Sequence, residues 1–236
     1  MAYVPVLLGH RGIRVNSQLG ENTFGAFDAA LQAGADGFEF DVRLTGSGRG
    51  LVCHDDVVEG VVVSRALPHE LRHLPVVQDV ICRYANKAFL DIELKVDGLE
   101  HLVLDALRNC PAQREYVVSS FLPEVVMELR ARSARIVLGI ICETKSQLAR
   151  WPNLPVEGVI VHHKLVSENL VKQVHGAKKS LSVWTVNDPA EMRRFADLDV
   201  DVIISDDPKL LVETLRPKKD PKTLDPGSGL QQPPAS

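Results

Sequence analysis

The sequence predicts an α/β fold, a TIM (β/α)8 barrel with an extra short hairpin strand after the second strand. Three observations carry this. Eight short apolar runs alternate with amphipathic segments from one end of the chain to the other, the pattern of βαβ units and a parallel sheet. The length of 236 residues suits one α/β domain of barrel size. Two of the runs carry charges at alternate positions just before a loop, where barrel enzymes keep their chemistry.

The strand candidates are residues 4–9, 37–44, 88–94, 116–120, 135–142, 158–162, 181–186 and 202–205. A ninth, 51–54, follows the second strand after Gly46-Ser47-Gly48-Arg49-Gly50 and reads as a hairpin return. That Gly-rich stretch leads into a strand rather than a helix, so it is a turn and not a phosphate cradle. Between the strands, residues 23–33 place Phe24, Phe27 and Leu31 on one helix face, and Gly34 stops the helix. Residues 99–108 show apolar side chains at i, i+3, i+4, i+7 and i+8. Asp188-Pro189-Ala190-Glu191 combines an N-cap, a first-turn proline and a box-like acid. Ser167 and Asp207-Pro208 mark two more helix starts. The barrel is expected over residues 1–216. The tail 217–236, rich in Pro, Gly and polar residues, is expected to be disordered.

Hydrophobic residues make up 45% of the chain, charged residues 25%, and the net charge is −4. This is ordinary for a soluble domain. It lacks the basic excess of a nucleic-acid binder. No run approaches the roughly 20 apolar residues that cross a bilayer, and the N-terminus has no basic segment of a signal peptide. The cysteines at 53, 82, 110 and 142 form no CxxC pair. They read as isolated buried thiols in a reducing compartment, so a cytoplasmic enzyme is expected.

A strand buried on both faces should be continuously apolar. Phe38-Glu39-Phe40-Asp41-Val42 and Leu90-Asp91-Ile92-Glu93-Leu94-Lys95 are not. Side chains alternate across a strand, so each charged set points to one face. An antiparallel strand with one wet face would give the same pattern. The βα context and the position before a loop favour a site instead. Several carboxylates gathered around a cation are tolerable where a lone buried one is costly. Oxygen donors without cysteine point to a hard cation, Mg2+ or Ca2+. His10 ends the first run and His54 the hairpin strand. Histidines titrate near neutrality and can serve as general base and acid. Arg11 and Lys95 are cations suited to a phosphate. Together these groups suggest phosphoryl transfer or phosphodiester cleavage. His162 and His163 end a strand and one could face the site. His69, His73, His101 and His175 read as solvent-exposed. Trp184 packs in the core or walls the pocket.

At these residues the sequence resembles the glycerophosphodiester phosphodiesterase family. The resemblance spans about the first 215 residues in motif order. Its motifs are His10-Arg11-Gly12, Glu21-Asn22-Thr23, Glu39-Phe40-Asp41, His54-Asp55, Glu93-Leu94-Lys95, Ser119-Ser120-Phe121, Trp184-Thr185-Val186-Asn187 and Ile203-Ile204-Ser205-Asp206. It implies a TIM barrel that hydrolyses small-molecule glycerophosphodiesters to glycerol 3-phosphate and an alcohol. It implies that Glu39, Asp41 and Glu93 bind Mg2+ or Ca2+ and that His10 and His54 are the acid/base pair. Arg11 and Lys95 would hold phosphate, Glu21 would lie near the metal or the histidines, and Trp184 would line the pocket. The chain departs from the family pattern after His54-Asp55, where residues 57–63 replace an Arg-Thr-Thr-like segment. That apolar loop keeps open a lysophospholipase D-like alternative on the same site.

Overall fold

The computed structural model of the chain describes residues 4–15 and 18–216. The tail expected to be disordered lies outside the described residues. Eight parallel strands close into a ring: β1 (Val6–Gly9), β2 (Gly37–Leu44), β6 (Phe89–Leu94), β7 (Tyr116–Ser120), β8 (Leu138–Cys142), β9 (Gly158–His162), β10 (Ser180–Trp184) and β11 (Val202–Ser205). They pair in that order, and β1 pairs with both β2 and β11, which closes the barrel. The strand β3 (Gly50–Val52) returns antiparallel along the end of β2, outside the ring, as expected of the hairpin. An unforeseen small hairpin follows, β4 (Val57–Val58) with β5 (Val61–Val62).

The helices are α1 (Phe24–Gln32), α2 (Val77–Tyr84), α3 (Glu100–Asn109), α4 (Pro123–Arg132), α5 (Lys145–Leu148), α6 (Glu168–Gly176), α7 (Pro189–Asp197) and α8 (Pro208–Leu215). The Thr23, Ser167, Asp188 and Asp207 side chains each accept from backbone amides of the first turn, so all four expected starts are capped. Three helices are not singled out from the sequence: α2 has no side-chain cap, but α4 starts on Pro123 and α5 on a capping box of Thr144 and Gln147. Among the described residues, no helix is long and apolar enough to cross a membrane.

Alternation in β2 and β6 divides the side chains. Phe38, Phe40, Val42, Leu90, Ile92 and Leu94 pack outward into the main core with α1 and its neighbours. A separate cluster of Leu8, Ile141, Ile160, Val202 and Ile204 fills the barrel interior, joined by Phe121 and Trp184. This interior layer is the floor beneath the charged groups.

Two expectations are corrected. Cys82 on α2 and Cys110 at the end of α3 form a disulfide, with Cα atoms 5.1 Å apart. Their 28-residue separation shows no motif; only the packing of α2 on α3 brings them together. For this pair, support for a reducing compartment is removed. Cys53 and Cys142 remain buried thiols, pushed up by burial to about 11 and about 12. His175 is half-buried rather than exposed, and its Nε2 lies 2.8 Å from Asp201 Oδ2.

The approach of β2 to β6 is close because residue 37 is glycine. A Cβ there would lie 1.9 Å from the Phe89 carbonyl oxygen, a backbone atom that cannot rotate away. Gly37→Ala is expected to cost about 3 kcal/mol, lowering Tm by roughly 6–12 °C. A thermal melt within 2 °C of wild type, within about 1 kcal/mol of its stability, would show that the sheet yields there.

Candidate active site

The parallel register sets the site. Glu39 lies opposite Asp91, and Asp41 opposite Glu93, across the β2–β6 seam. All four carboxylates are at most 7% exposed. Glu39, Asp41 and Glu93 each offer an oxygen within 4.8 Å of the others, a grouping able to hold a metal ion. Glu39 Oε1 is buried with no hydrogen-bond partner. A buried carboxylate oxygen without a partner, on one of three carboxylates grouped this closely, is what a divalent cation would complete, so these residues fit a hard ion.

Electrostatics differ around the cluster. Burial pushes the Glu39 carboxyl well above its ordinary range, with the charges of Asp41 and Glu93 adding to the effect. Burial and Asp41 push Glu93 up to about 7. Asp41 goes the other way: burial raises it, but Lys95 and Arg11 outweigh burial and hold it ionised. Lys95 Nζ lies 2.6 Å from Glu93 Oε1 and 3.3 Å from Asp41 Oδ1.

The turn after β1 delivers His10 and Arg11. Arg11 has φ +53° and Gly12 φ +83°. A Cβ on Gly12 would sit 2.6 Å from the Ala26 backbone, so only glycine lets the turn pack on α1. The Arg11 amide donates to Glu39 Oε2 at 2.9 Å, and its guanidinium lies 3.2 Å from Asp41 and 2.7 Å from Glu21. Asn22, also left-handed at φ +58°, donates its amide to Asp41 Oδ2 at 2.8 Å. Backbone strain of this kind persists where packing enforces it.

His10 Nδ1 lies 2.7 Å from Asp206 Oδ1. Asp206 also accepts from Asn187 at 2.7 Å and Arg14 at 3.0 Å. Burial alone would raise Asp206, but these partners hold it far below the carboxylate range. The ionised carboxylate keeps the proton on Nδ1 and leaves the His10 Nε2 lone pair free, 3.9 Å from Glu39. Burial lowers the His10 pKa despite the Asp206 contact. His54 follows β3; its carbonyl accepts from Arg43 at 2.5 Å and its Nδ1 faces Asp55 at 2.8 Å.

One cavity of about 320 Å³ joins these groups. His10, Arg11, Glu39, His54, Asp91, Glu93, Lys95 and Trp184 line it, with Phe121, Ile141, Glu143, Ile160 and Ile204. Glu21, expected in the pocket, is not among the lining residues. It sits behind Arg11, clamped between Arg11 and Arg14. His162 stacks edge-on against Trp184, 5.4 Å between centroids.

Asp91, Asn22, Asn187, Asp206 and Glu143 had no role from sequence. Asp91 did carry a signal, the first charge in the alternating set of β6. Ser119 donates to it at 2.5 Å, yet burial pushes it up to about 7. Since this folded-state value exceeds the unfolded one, protonated Asp91 favours folding at low pH. That stability is lost as pH rises toward and through 7. Asp91→Asn is therefore expected to raise the Tm of metal-free protein by several degrees at pH 8 and by less at pH 5. An equal shift at both pH values would contradict the buried titration.

The sequence matches the Glycerophosphoryl diester phosphodiesterase family over residues 10–87 and 90–210. It is 28% identical to a glycerophosphodiester phosphodiesterase of Caldanaerobacter subterraneus subsp. tengcongensis, over 89% of this chain and 98% of that one. It is 23% identical to a probable glycerophosphodiester phosphodiesterase 2 of Mycobacterium tuberculosis, over 89% and 90%. The fold superimposes on a glycerophosphodiester phosphodiesterase from Parabacteroides distasonis with a TM-score of 0.80, at 22% identity and 89% and 96% coverage. It matches an Oleispira antarctica phosphodiesterase, solved with the product sn-glycerol-3-phosphate, at a TM-score of 0.78, 22% identity and 89% and 96% coverage.

Proposed function

Because the chain belongs to the glycerophosphoryl diester phosphodiesterase family, whose members are phosphoric diester hydrolases, we propose that it hydrolyses glycerophosphodiesters to glycerol 3-phosphate and an alcohol. The observation that carries this reading is a group of three buried carboxylates, Glu39, Asp41 and Glu93, of which Glu39 and Glu93 line one cavity with two histidines and two cations. The product bound to the Oleispira antarctica phosphodiesterase agrees with it.

In this reading Glu39, Asp41 and Glu93 hold a divalent cation, Mg2+ or Ca2+. Its chemistry when bound is to neutralise phosphate charge and polarise a coordinated oxygen. Arg11 and Lys95, both at the cavity wall, hold the phosphoryl oxygens and stabilise charge that grows toward the transition state. His10 and His54 divide the proton transfers. Nδ1 of each faces a carboxylate, so each presents Nε2 to the reacting oxygens. One Nε2 takes the proton of the attacking hydroxyl, either water, which gives glycerol 3-phosphate directly, or the neighbouring hydroxyl of the glycerol, which gives a cyclic phosphate that water then opens to glycerol 3-phosphate. The other donates to the departing alcohol oxygen. Asp206 and Asn187 keep His10 in the required tautomer, and Glu21 keeps Arg11 in place. Trp184 Nε1, buried without a partner, is a donor for a substrate oxygen.

The cavity volume favours a short alcohol, since about 320 Å³ lies at the small end of ligand sites. In the lysophospholipase D-like alternative the acyl chain would lie outside the barrel. Val57 and Val62 on the β4–β5 hairpin, 46% and 39% exposed, are the observation that favours it.

Purified protein supplied with Mg2+, Ca2+ or Mn2+ is expected to release glycerol 3-phosphate from glycerophosphodiesters, and a chelator to stop the release. His10→Ala and His54→Ala are each expected to lower kcat by about 10²–10⁴ while leaving the melting curve near wild type. Wild-type rates in either variant would remove that histidine from the mechanism. A folded, metal-loaded enzyme inert on every diester offered would overturn the reading.

A further inference from the structure

Five side chains form a closed ring at the edge of the cavity. His10 Nδ1 lies 2.7 Å from Asp206 Oδ1. The same Asp206 oxygen accepts from Arg14 Nη1 at 3.0 Å. Arg14 Nε donates to Glu21 Oε2 at 2.6 Å, and Glu21 Oε1 accepts from Arg11 Nη1 at 2.7 Å. The peptide bond between His10 and Arg11 closes the ring. His10 and Arg11 both line the cavity, whereas Arg14 lies outside its lining.

The chain delivers Arg14 to this place. Its backbone amide donates to the Asp206 carbonyl at 3.0 Å, so the turn after β1 is tied to the end of β11. From there the guanidinium reaches two acids at once. Its donors stand in a fixed fork, which suits it to bridge carboxylates. Among the described residues, it is the one side chain that pairs with both Glu21 and Asp206. With His10 neutral, the ring balances two carboxylates against two guanidiniums. Without Arg14, one guanidinium remains for both acids, and Arg11 already lies 3.2 Å from Asp41. Glu21 would then hold Arg11 alone and compete for it with a phosphate. Asp206 Oδ1 would lose the lateral donor that fixes it toward His10.

Side-chain exposure rises along the ring from 12% at His10 and Arg11 to 35% at Arg14. Ion pairs this open to water add little to folding. What they can supply is geometry, and a small misplacement of a reacting group costs rate steeply. We propose that Arg14 is a positioning residue that couples the two arms of the site, holding His10 through Asp206 and Arg11 through Glu21. This rests on the phosphodiesterase reading for the roles of His10 and Arg11, and it adds a residue that never touches the substrate.

The test is a pair of double-mutant cycles on the Mg2+-loaded protein, with glycerophosphocholine as substrate. Arg14→Gln is expected to lower kcat/KM about tenfold, split between a lower kcat and a higher KM, with a melting curve near wild type. In a Glu21→Gln background, Arg14→Gln should no longer raise KM. In an Asp206→Asn background it should no longer lower kcat. A rate for Arg14→Gln within about twofold of wild type, or losses that simply add in either background, would overturn the proposal. Titration of inorganic phosphate into the same proteins reads the Arg11 arm without turnover. Arg14→Gln should weaken phosphate binding about threefold or more in wild type and leave it unchanged in Glu21→Gln. That pattern in a protein that cleaves no diester would keep the coupling to Arg11 and remove only the hydrolase reading. Equal phosphate affinity in wild type and Arg14→Gln, or no phosphate binding by wild type, would overturn the coupling whatever the rates show.

Discussion

Four carboxylates, Glu39, Asp41, Asp91 and Glu93, are buried on facing strands at one end of a parallel barrel, and the rest of the site answers that charge. Each buried ion would cost several kcal/mol if left alone. Lys95 sits between Asp41 and Glu93, Arg11 reaches Asp41 by side chain and Glu39 by backbone, and Asn22 and Ser119 donate to Asp41 and Asp91. The answer is incomplete by design of the donor set. Glu39 and Glu93 are pushed upward, Asp41 downward, and Glu39 keeps an oxygen without a partner. A divalent ion is the charge that the arrangement lacks. The left-handed backbone at Arg11 and, separately, at Asn22, with glycine at 12, brings cation and amide to the same carboxylate, Asp41.

The two histidines stand in unlike settings. His10 is buried, with Asp206 ionised behind it and Asn187 and Arg14 behind Asp206. His54 is half-buried on the return of the hairpin, with the exposed Asp55 as its partner. One is held rigidly inside the barrel and the other belongs to the mouth. The cavity shows the same polarity, with charge on the β1–β6 side and aromatic rings with Glu143 on the other.

The barrel was readable from eight apolar runs alternating with amphipathic segments, and the acid cluster because charge at alternate positions has no place in a strand buried on both faces. Glu39, Asp41 and Glu93 stood out on that ground, and His10, Arg11, His54 and Lys95 followed as residues at strand ends. Glu21 was seen as a member of the site, but its actual position, behind Arg11 rather than in the cavity, depends on side-chain geometry. Asp206 meets His10 across 196 residues, and Cys82 meets Cys110 only because α2 packs on α3. Neither contact has a local periodicity to betray it.

The most direct test of this account is calorimetric titration of Mg2+ and Ca2+ into metal-free wild type and Glu39→Gln near pH 7, in buffers of different ionisation enthalpy. Wild type should bind one ion and release protons, because Glu39 and Glu93 must ionise to coordinate it. Glu39→Gln should bind far more weakly and release less. Absence of binding by wild type, or identical binding and proton release in the variant, would contradict a cation site at these carboxylates.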